Sequence, residues 1–432
     1  MRRLVAAGLV TIALGGAGCA SSARTAPPSS SAQPGAVPSW LPAYNAEQRA
    51  LLAPVDTHIQ VPAARVYPDL GRFRYARDVK LDDIRRTLRF SILVADVLEK
   101  SPRFYALGDA RPELSNIAAQ YGPPGPTEPD PWETVKVDKK TGDRDLVRAP
   151  LDEPARADYA RAEALRAKGD VPGAIEALRA TFKRTSKPAI GLALADLLAQ
   201  SGDDGEAFNA YRITIAEEPT LASAHAGLAA VHERAGRRED ARRELAEAIA
   251  YHPSSRRALA LADKLTGGRA TKNNAERVTP FSIFLDVDTV GAVHVAWSGG
   301  EPARFYAGCR AILRYEPEVR RTLFDDPPGT PYYLSMVEEM VCIEAAIGAY
   351  VAERMTDKEA PFDHGMETLV RLAHEEGLAG YAMTEILGRF RPERARVAPP
   401  DVHRAMVRYV ERVVLGEPLE EDAPGGVFTA EL

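Results

Sequence analysis

Residues 194–219 are LADLLAQSGDDGEAFNAYRITIAEEP, and residues 228–253 are LAAVHERAGRREDARRELAEAIAYHP. Laid over each other with a shift of 34, the two stretches coincide at Leu194/Leu228, Ala195/Ala229, Gly202/Gly236, Ala207/Ala241 and Pro219/Pro253. An earlier copy has Ala162, Leu165, Gly169, Ala174 and Leu178, displaced by 33 from Ala195, Leu198, Gly202, Ala207 and Tyr211. A fixed period of this length, with apolar residues at helical spacing, predicts a helical array of three repeated units.

The period, the spacing and the residue types over residues 155–265 resemble those of tetratricopeptide repeats (TPR). In that family each unit is a pair of antiparallel helices. Gly202 fits the turn within a unit, where a left-handed backbone favours glycine, and Pro219 ends the unit because proline cannot continue a helix. We therefore expect a mainly α fold with a TPR-type antiparallel helix-pair solenoid of three units, capped by a helix over Arg257 to Leu265.

Stacked units of this kind leave a concave groove lined by the first helix of each unit. The resemblance places the groove positions at Tyr159, Glu163 and Arg166 in the first unit, Asp196 and Gln200 in the second, and Glu233 and Arg234 in the third. It implies that a protein or peptide partner binds there. The alternative is a solvated charged face, as in RREDARRE at residues 237–244.

The N-terminal residues have the layout of a secretory signal. Arg2 and Arg3 precede an apolar run and the small residues GGAG, which end at Cys19. This arrangement resembles a bacterial lipoprotein signal, in which the cysteine is lipidated, although Gly16 stands where that family usually has Leu. The resemblance implies a lipid anchor at Cys19 in the cell envelope, with Ala20 favouring the outer membrane, facing the periplasm or the cell surface. Plain secretion is the alternative.

The charge balance argues against nucleic acid as a partner. The 55 basic and 61 acidic residues give a net charge of -6, which supplies no basic field to attract phosphates.

Composition and pattern divide the chain into a signal peptide (1–19), a disordered tether (20–40), a small N-terminal α+β region (41–150), the repeat array (151–268), a helical C-terminal domain introduced by a hairpin (275–416) and a flexible tail (417–432).

Two cysteines remain besides Cys19. Cys309 and Cys342 lie on predicted helices, and in an oxidising exported compartment a leftover pair can form a disulfide. Two separate core thiols are equally compatible with the sequence.

The stretch FLDVDTVG at residues 284–291 permits two interpretations. It resembles the D-x-D-x-T motif of haloacid-dehalogenase-type phosphatases, but Thr289 directly follows Asp288, so one residue is missing. Apolar residues alternate before and after the turn residues Asp288 and Gly291, which favours a β-hairpin. A second hairpin is predicted over residues 133–148, with Thr141 and Gly142 at its turn.

The predicted C-terminal helices carry a buried acid but no recognised catalytic or metal motif. Glu344 projects from an apolar helix over residues 332–355, and a partner such as Arg310 or Arg314 is expected because an isolated buried charge is costly. Without metal-ligand spacing or a nucleophile motif, we predict no metal, no cofactor and no catalytic residue. The sequence is interpreted as a noncatalytic adaptor; the alternative is an enzyme or small-molecule receptor whose site lies in the C-terminal domain.

Overall fold

A computed structural model describes residues 89–416, with gaps at 109–125, 127, 272–277, 279–280, 288–290, 325, 328, 331, 358, 361 and 375–376. The predicted signal peptide with Cys19, the tether and the tail lie outside the described residues. Among the described residues, no helix combines the length and the apolar character that a membrane span requires.

Seven consecutive helices form the repeat array. They are α2 (Glu153–Ala167), α3 (Val171–Thr185), α4 (Pro188–Ser201), α5 (Asp204–Glu217), α6 (Ala222–Arg234), α7 (Arg238–Tyr251) and α8 (Arg256–Thr266), following α1 (Arg89–Lys100). Gly202 ends α4 with φ 87°, in the left-handed region that favours glycine. Asp203 then begins α5, since its carboxylate accepts a hydrogen bond from the Glu206 amide. Sequence-encoded turns therefore produce the alternating helix directions.

The repeated alanines allow the paired helices to approach closely. Ala174, Ala195, Ala207, Ala229 and Ala241 are all fully buried. Between neighbouring units, Gly227 serves the same purpose, because a Cβ there would lie 2.3 Å from the ring of Tyr211. The predicted mainly α fold with an antiparallel helix-pair solenoid is confirmed.

Two small sheets accompany the helices in the part of the chain that the structure describes. Strands β2 (Glu133–Val137) and β3 (Arg144–Arg148) form the predicted hairpin, with Gly142 at φ 78° in its turn. Strands β4 (Ile283–Val287) and β5 (Val293–Trp297) form the second predicted hairpin, so the hairpin interpretation of FLDVDTVG is confirmed. The structure adds a short strand, β1 (Tyr105–Leu107), which pairs parallel with β5.

The C-terminal helices pack on this second sheet and on the end of the array. They are α9 (Glu301–Tyr315), α10 (Pro317–Phe324), α11 (Met336–Thr356), α12 (His364–His374), α13 (Leu378–Tyr381), α14 (Gly388–Phe390), α15 (Pro392–Arg396) and α16 (Pro400–Tyr409), with π-helical segments at Ala382–Leu387 and Val410–Val414. Helix α11 begins at Met336, later than the predicted residue 332, because the hydroxyl of Ser335 caps it.

Among the described residues, the apolar core has two parts. One extends through the first two units of the array into helix α6 of the third, and it includes Leu178, Tyr211 and Leu228. The other is shared by the third unit, for example Leu245, and the C-terminal helices. The third unit therefore contributes to both parts, because it packs on the second unit through α6 and also on the C-terminal helices.

Candidate functional site: the concave face of the helix array

The predicted groove residues lie on the first helix of each unit, α2, α4 and α6. Helix α8 continues this row as the first helix of an incomplete fourth unit. The Nη1 atom of Arg257 on α8 lies 2.9 Å from Oδ1 of Asp196 on α4, although α6 lies between the two helices in sequence. Side chains two units apart thus meet, as a strongly curved concave face requires.

The Asp196 carboxylate binds two groups from its own chain. Its Oδ1 accepts hydrogen bonds from the Tyr211 hydroxyl at 2.5 Å and from Arg257. Burial and then the Asp196 charge raise the pKa of Tyr211 above its usual range, so the hydroxyl stays a donor. Asp196 is therefore part of a hydrogen-bonded network within the chain.

The other charged groove positions also have partners in the chain. Glu233 pairs with Lys264 of α8 at 2.9 Å. Arg234 pairs with Asp204 of α5, with Nε donating at 3.0 Å. These ion pairs connect neighbouring units of the array.

The first unit keeps a local pair. Glu163 and Arg166 of α2 lie 2.7 Å apart, one turn from each other. Arg166 is exposed, as is Gln200 on α4. These residues form the part of the predicted groove that remains accessible.

A segment preceding the first hairpin lies over the other part of the concave face. The Trp132 ring packs edge-on against Tyr159, with ring centroids 5.3 Å apart. Four residues earlier, Glu128 accepts hydrogen bonds from the Ser255 hydroxyl at 3.4 Å and from the Arg257 amide at 3.3 Å, at the start of α8. Tyr159 is thus covered by the protein's own chain. The accessible part of the concave face is therefore smaller than the predicted groove.

Sequence reasoning missed three residues of this face: Trp132, Arg257 and Lys264. The repeat itself carried a signal for one of them, because Lys264 lies 68 residues, two periods of 34, after Asp196. If α8 is taken as the first helix of a fourth unit, the repeat places Lys264 at a groove position. Trp132 lies outside the repeat, and no periodic pattern pointed to it.

The C-terminal region contains a buried network of charges at the start of α11. Nη1 of Arg310 lies 2.6 Å from both Glu338 and Glu339, and all three side chains are almost completely buried. Arg320 adds ion pairs with Glu338 and Asp326. Arg310, one of the two arginines expected to pair with Glu344, thus binds Glu338 and Glu339, which lie one to two turns before Glu344 on α11.

Tyrosine hydroxyls complete the hydrogen bonding of these acids. The hydroxyl of Tyr306 donates a hydrogen bond to Glu339. Those of Tyr332 and Tyr333 donate to Glu338 and Asp326, respectively. Burial raises the pKa of Tyr333 to about 12, with Asp326 adding to the effect, so this hydroxyl remains a donor at neutral pH. Every carboxylate in the network has charged and hydroxyl partners, which is the arrangement expected of a structural element.

The two remaining cysteines are joined in the structure. Cys309 of α9 and Cys342 of α11 form a disulfide with their Cα atoms 5.3 Å apart, which links two helices of the C-terminal core. Asp286, the first acid of FLDVDTVG, is exposed on β4 opposite His294, whereas Asp288 and Thr289 lie outside the described residues.

No protein-family model matches the chain, and no curated protein is significantly similar to it.

Proposed function

We propose that the chain is an exported, membrane-tethered adaptor of the tetratricopeptide-repeat type, which binds a protein or peptide segment on the accessible part of its concave face without catalysing a reaction. The observation that carries the proposal is the row of first helices, whose polar side chains Glu163, Arg166 and Gln200 line an accessible surface on a rigid array. An extended peptide is the ligand that suits such a surface, because its backbone and side chains need polar partners spaced along a line.

The ion pairs of the concave face support this assignment indirectly. Asp196 and Glu233 are held by Arg257 and Lys264, so the curvature of the array is fixed before any partner arrives. A preorganised surface binds with a smaller entropic cost than one that must close around its ligand. The tether would raise the effective concentration of the adaptor near a membrane-bound partner.

The test is crosslinking and purification from detergent-solubilised membranes with the tethered chain. The variant combines Arg166→Glu with Gln200→Arg, both at exposed positions. The control is Arg212→Glu on α5, which is also exposed and lies over the ring of Phe208. We expect wild type and control to retain the same partner and the double variant to lose it at least tenfold. An identical set of partners in all three samples contradicts binding on this face.

The lipid anchor has its own test. The mature N-terminus is expected to be an acylated Cys19, detected as the added mass on the N-terminal peptide. Replacement of Cys19 by Ser should release the protein from the membrane fraction. An unmodified Cys19 in the membrane-bound protein contradicts the anchor but leaves the adaptor proposal standing.

A further inference from the structure

An open cleft of about 500 Å³ lies where the first hairpin, the array and the C-terminal helices meet. Its lining comes from β2, β3, the turn between α5 and α6, the end of α7, and the start of α16. This volume falls in the range of small-molecule binding sites, which occur preferentially at junctions between structural units. The cleft is separate from the concave face described above.

One wall of the cleft is a rigid aromatic pair. The rings of Tyr251 on α7 and His403 on α16 stack with centroids 4.0 Å apart and planes 17° from parallel. Nε2 of His403 lies 2.8 Å from Glu247, which fixes the orientation of the imidazole. Together with the apolar side chains of Val135 and Pro219, these rings provide a surface for the apolar part of a ligand.

Two arginines supply positive charge to the same space. Arg144 of β3 and Arg404 of α16 both line the cleft, and neither makes an ion pair with a described residue. The Nε atom of Arg144 is buried without a hydrogen-bond partner among the described residues. A guanidinium group in this situation gains most from an anionic ligand, since a carboxylate can accept two of its hydrogen bonds.

The nearby acids do not neutralise these arginines in the cleft. Glu218 is buried, and its oxygens accept hydrogen bonds from the Val135 amide at 3.0 Å and the Thr220 hydroxyl at 2.5 Å. Arg396 donates to the same hydroxyl at 3.0 Å. Burial lowers the pKa of Arg396, and the Glu218 charge opposes this change, so Glu218 interacts electrostatically with Arg396.

The hydroxyl of Tyr251 adds a donor beside the arginines. Burial raises the pKa of Tyr251 to about 12, with Glu247 adding to the effect and Arg144 opposing it. The hydroxyl therefore keeps its proton at neutral pH and can donate to an anion. The remaining acid of the lining, Glu217, is exposed.

From this arrangement we infer that the cleft binds an organic carboxylate with an apolar body. The carboxylate would lie between Arg144 and Arg404, and the body would pack against Tyr251, Val135 and Pro219. The inference is independent of partner binding on the concave face, because none of these residues belongs to that surface.

The test uses benzoate as the carboxylate probe and benzamide as its uncharged counterpart, titrated calorimetrically into the purified chain. Benzoate is expected to bind saturably at one site and at least tenfold more tightly than benzamide. The variants Arg404→Gln and Arg144→Gln should each weaken benzoate binding about tenfold. The control is Arg408→Gln, an exposed position one turn further along α16, which should leave binding unchanged.

Three outcomes contradict the inference: no saturable binding of benzoate, equal binding of benzamide, or an equal effect of Arg408→Gln. Unchanged circular dichroism of the variants shows that a lost affinity does not reflect misfolding. A second arm compares the peptide Ala-Ala-Phe with its C-terminal amide. Tighter binding of the free acid than of benzoate identifies a peptide C-terminus as the source of the carboxylate, and weaker binding identifies a free small acid.

Discussion

The guanidinium of Arg257 and the carboxylate of Asp196 lie 2.9 Å apart and connect helices α8 and α4 across the concave face. The Tyr211 hydroxyl shares the same carboxylate oxygen, and Arg257 also donates to Tyr211 at 3.2 Å. Three side chains from three helices thus form one hydrogen-bonded group. It couples the second unit of the array to the helix that caps it.

We predict that Arg257→Gln lowers the free energy of unfolding by about 1 kcal/mol, because a partly exposed ion pair and one hydrogen bond are lost. Combined with Asp196→Asn in a double-mutant cycle, it should give a coupling of about 0.5–1 kcal/mol. The neighbouring Arg256 is exposed, and Arg256→Gln should change stability by less than about 0.5 kcal/mol. Urea denaturation measures all four variants. A coupling energy of zero would contradict a stabilising interaction between Arg257 and Asp196.

The array could be predicted from the sequence because its determinants are local and periodic. Alanines such as Ala195 and Ala229 recur at the same place in each unit and are buried where helices pack closely. Glycines such as Gly202 recur at the turn, where the backbone is left-handed. Both hairpins could likewise be predicted from alternation and turn residues. The strand Tyr105–Leu107 could not, since three residues carry no pattern and its partner Val293–Trp297 is far away in sequence.

The candidate site was predictable only in part. Groove positions such as Asp196 follow from the repeat, but their partners do not, because Arg257 approaches through the curvature of the array. The covering of Tyr159 by Trp132 depends on how a chain segment outside the repeat returns to the array. Contacts of this type between distant segments have no local sequence signal.

The disulfide between Cys309 and Cys342 is predicted to stabilise the C-terminal region by roughly 3–4 kcal/mol in the chain-entropy description, because it closes a loop with a sequence separation of 33. Addition of a reductant should lower the urea midpoint of the wild-type protein. The variant Cys309→Ala/Cys342→Ala should start from a lower midpoint and show no response to the reductant. Equal sensitivity of both proteins to reduction would contradict this role of the disulfide.

Loss of Arg310 should be more costly than loss of a surface arginine. Arg310→Met leaves Glu338 and Glu339 buried without this cation, and we expect a loss of about 3 kcal/mol in unfolding free energy. Arg310→Lys, which keeps the charge, should retain part of this stability and allows measurement if the first variant does not fold. The control Arg321→Met removes an exposed pair with Glu318 and should cost less than about 0.5 kcal/mol. Equal losses for Arg310→Met and the control would contradict a stabilising network.

His252 is expected to make stability depend on pH. Its side chain is 2% exposed, and burial, with a smaller effect of Arg396, lowers its pKa from 6.5 to about 4. Between these values the unfolded chain binds a proton that the folded chain does not, so stability is complete above the unfolded pKa and falls as the pH drops towards 4. Between pH 7 and pH 5 the loss from this residue should be about 2 kcal/mol.

The measurement is urea denaturation at both pH values for wild type and for His252→Asn. The variant should lose about 2 kcal/mol less than wild type on acidification, because it has no imidazole to protonate. His364→Asn serves as the control, since His364 is exposed, and it should reproduce the pH dependence of wild type. If His252→Asn shows the wild-type dependence, another group must be responsible for the acid sensitivity, and the buried His252 is not held in its neutral form by the fold.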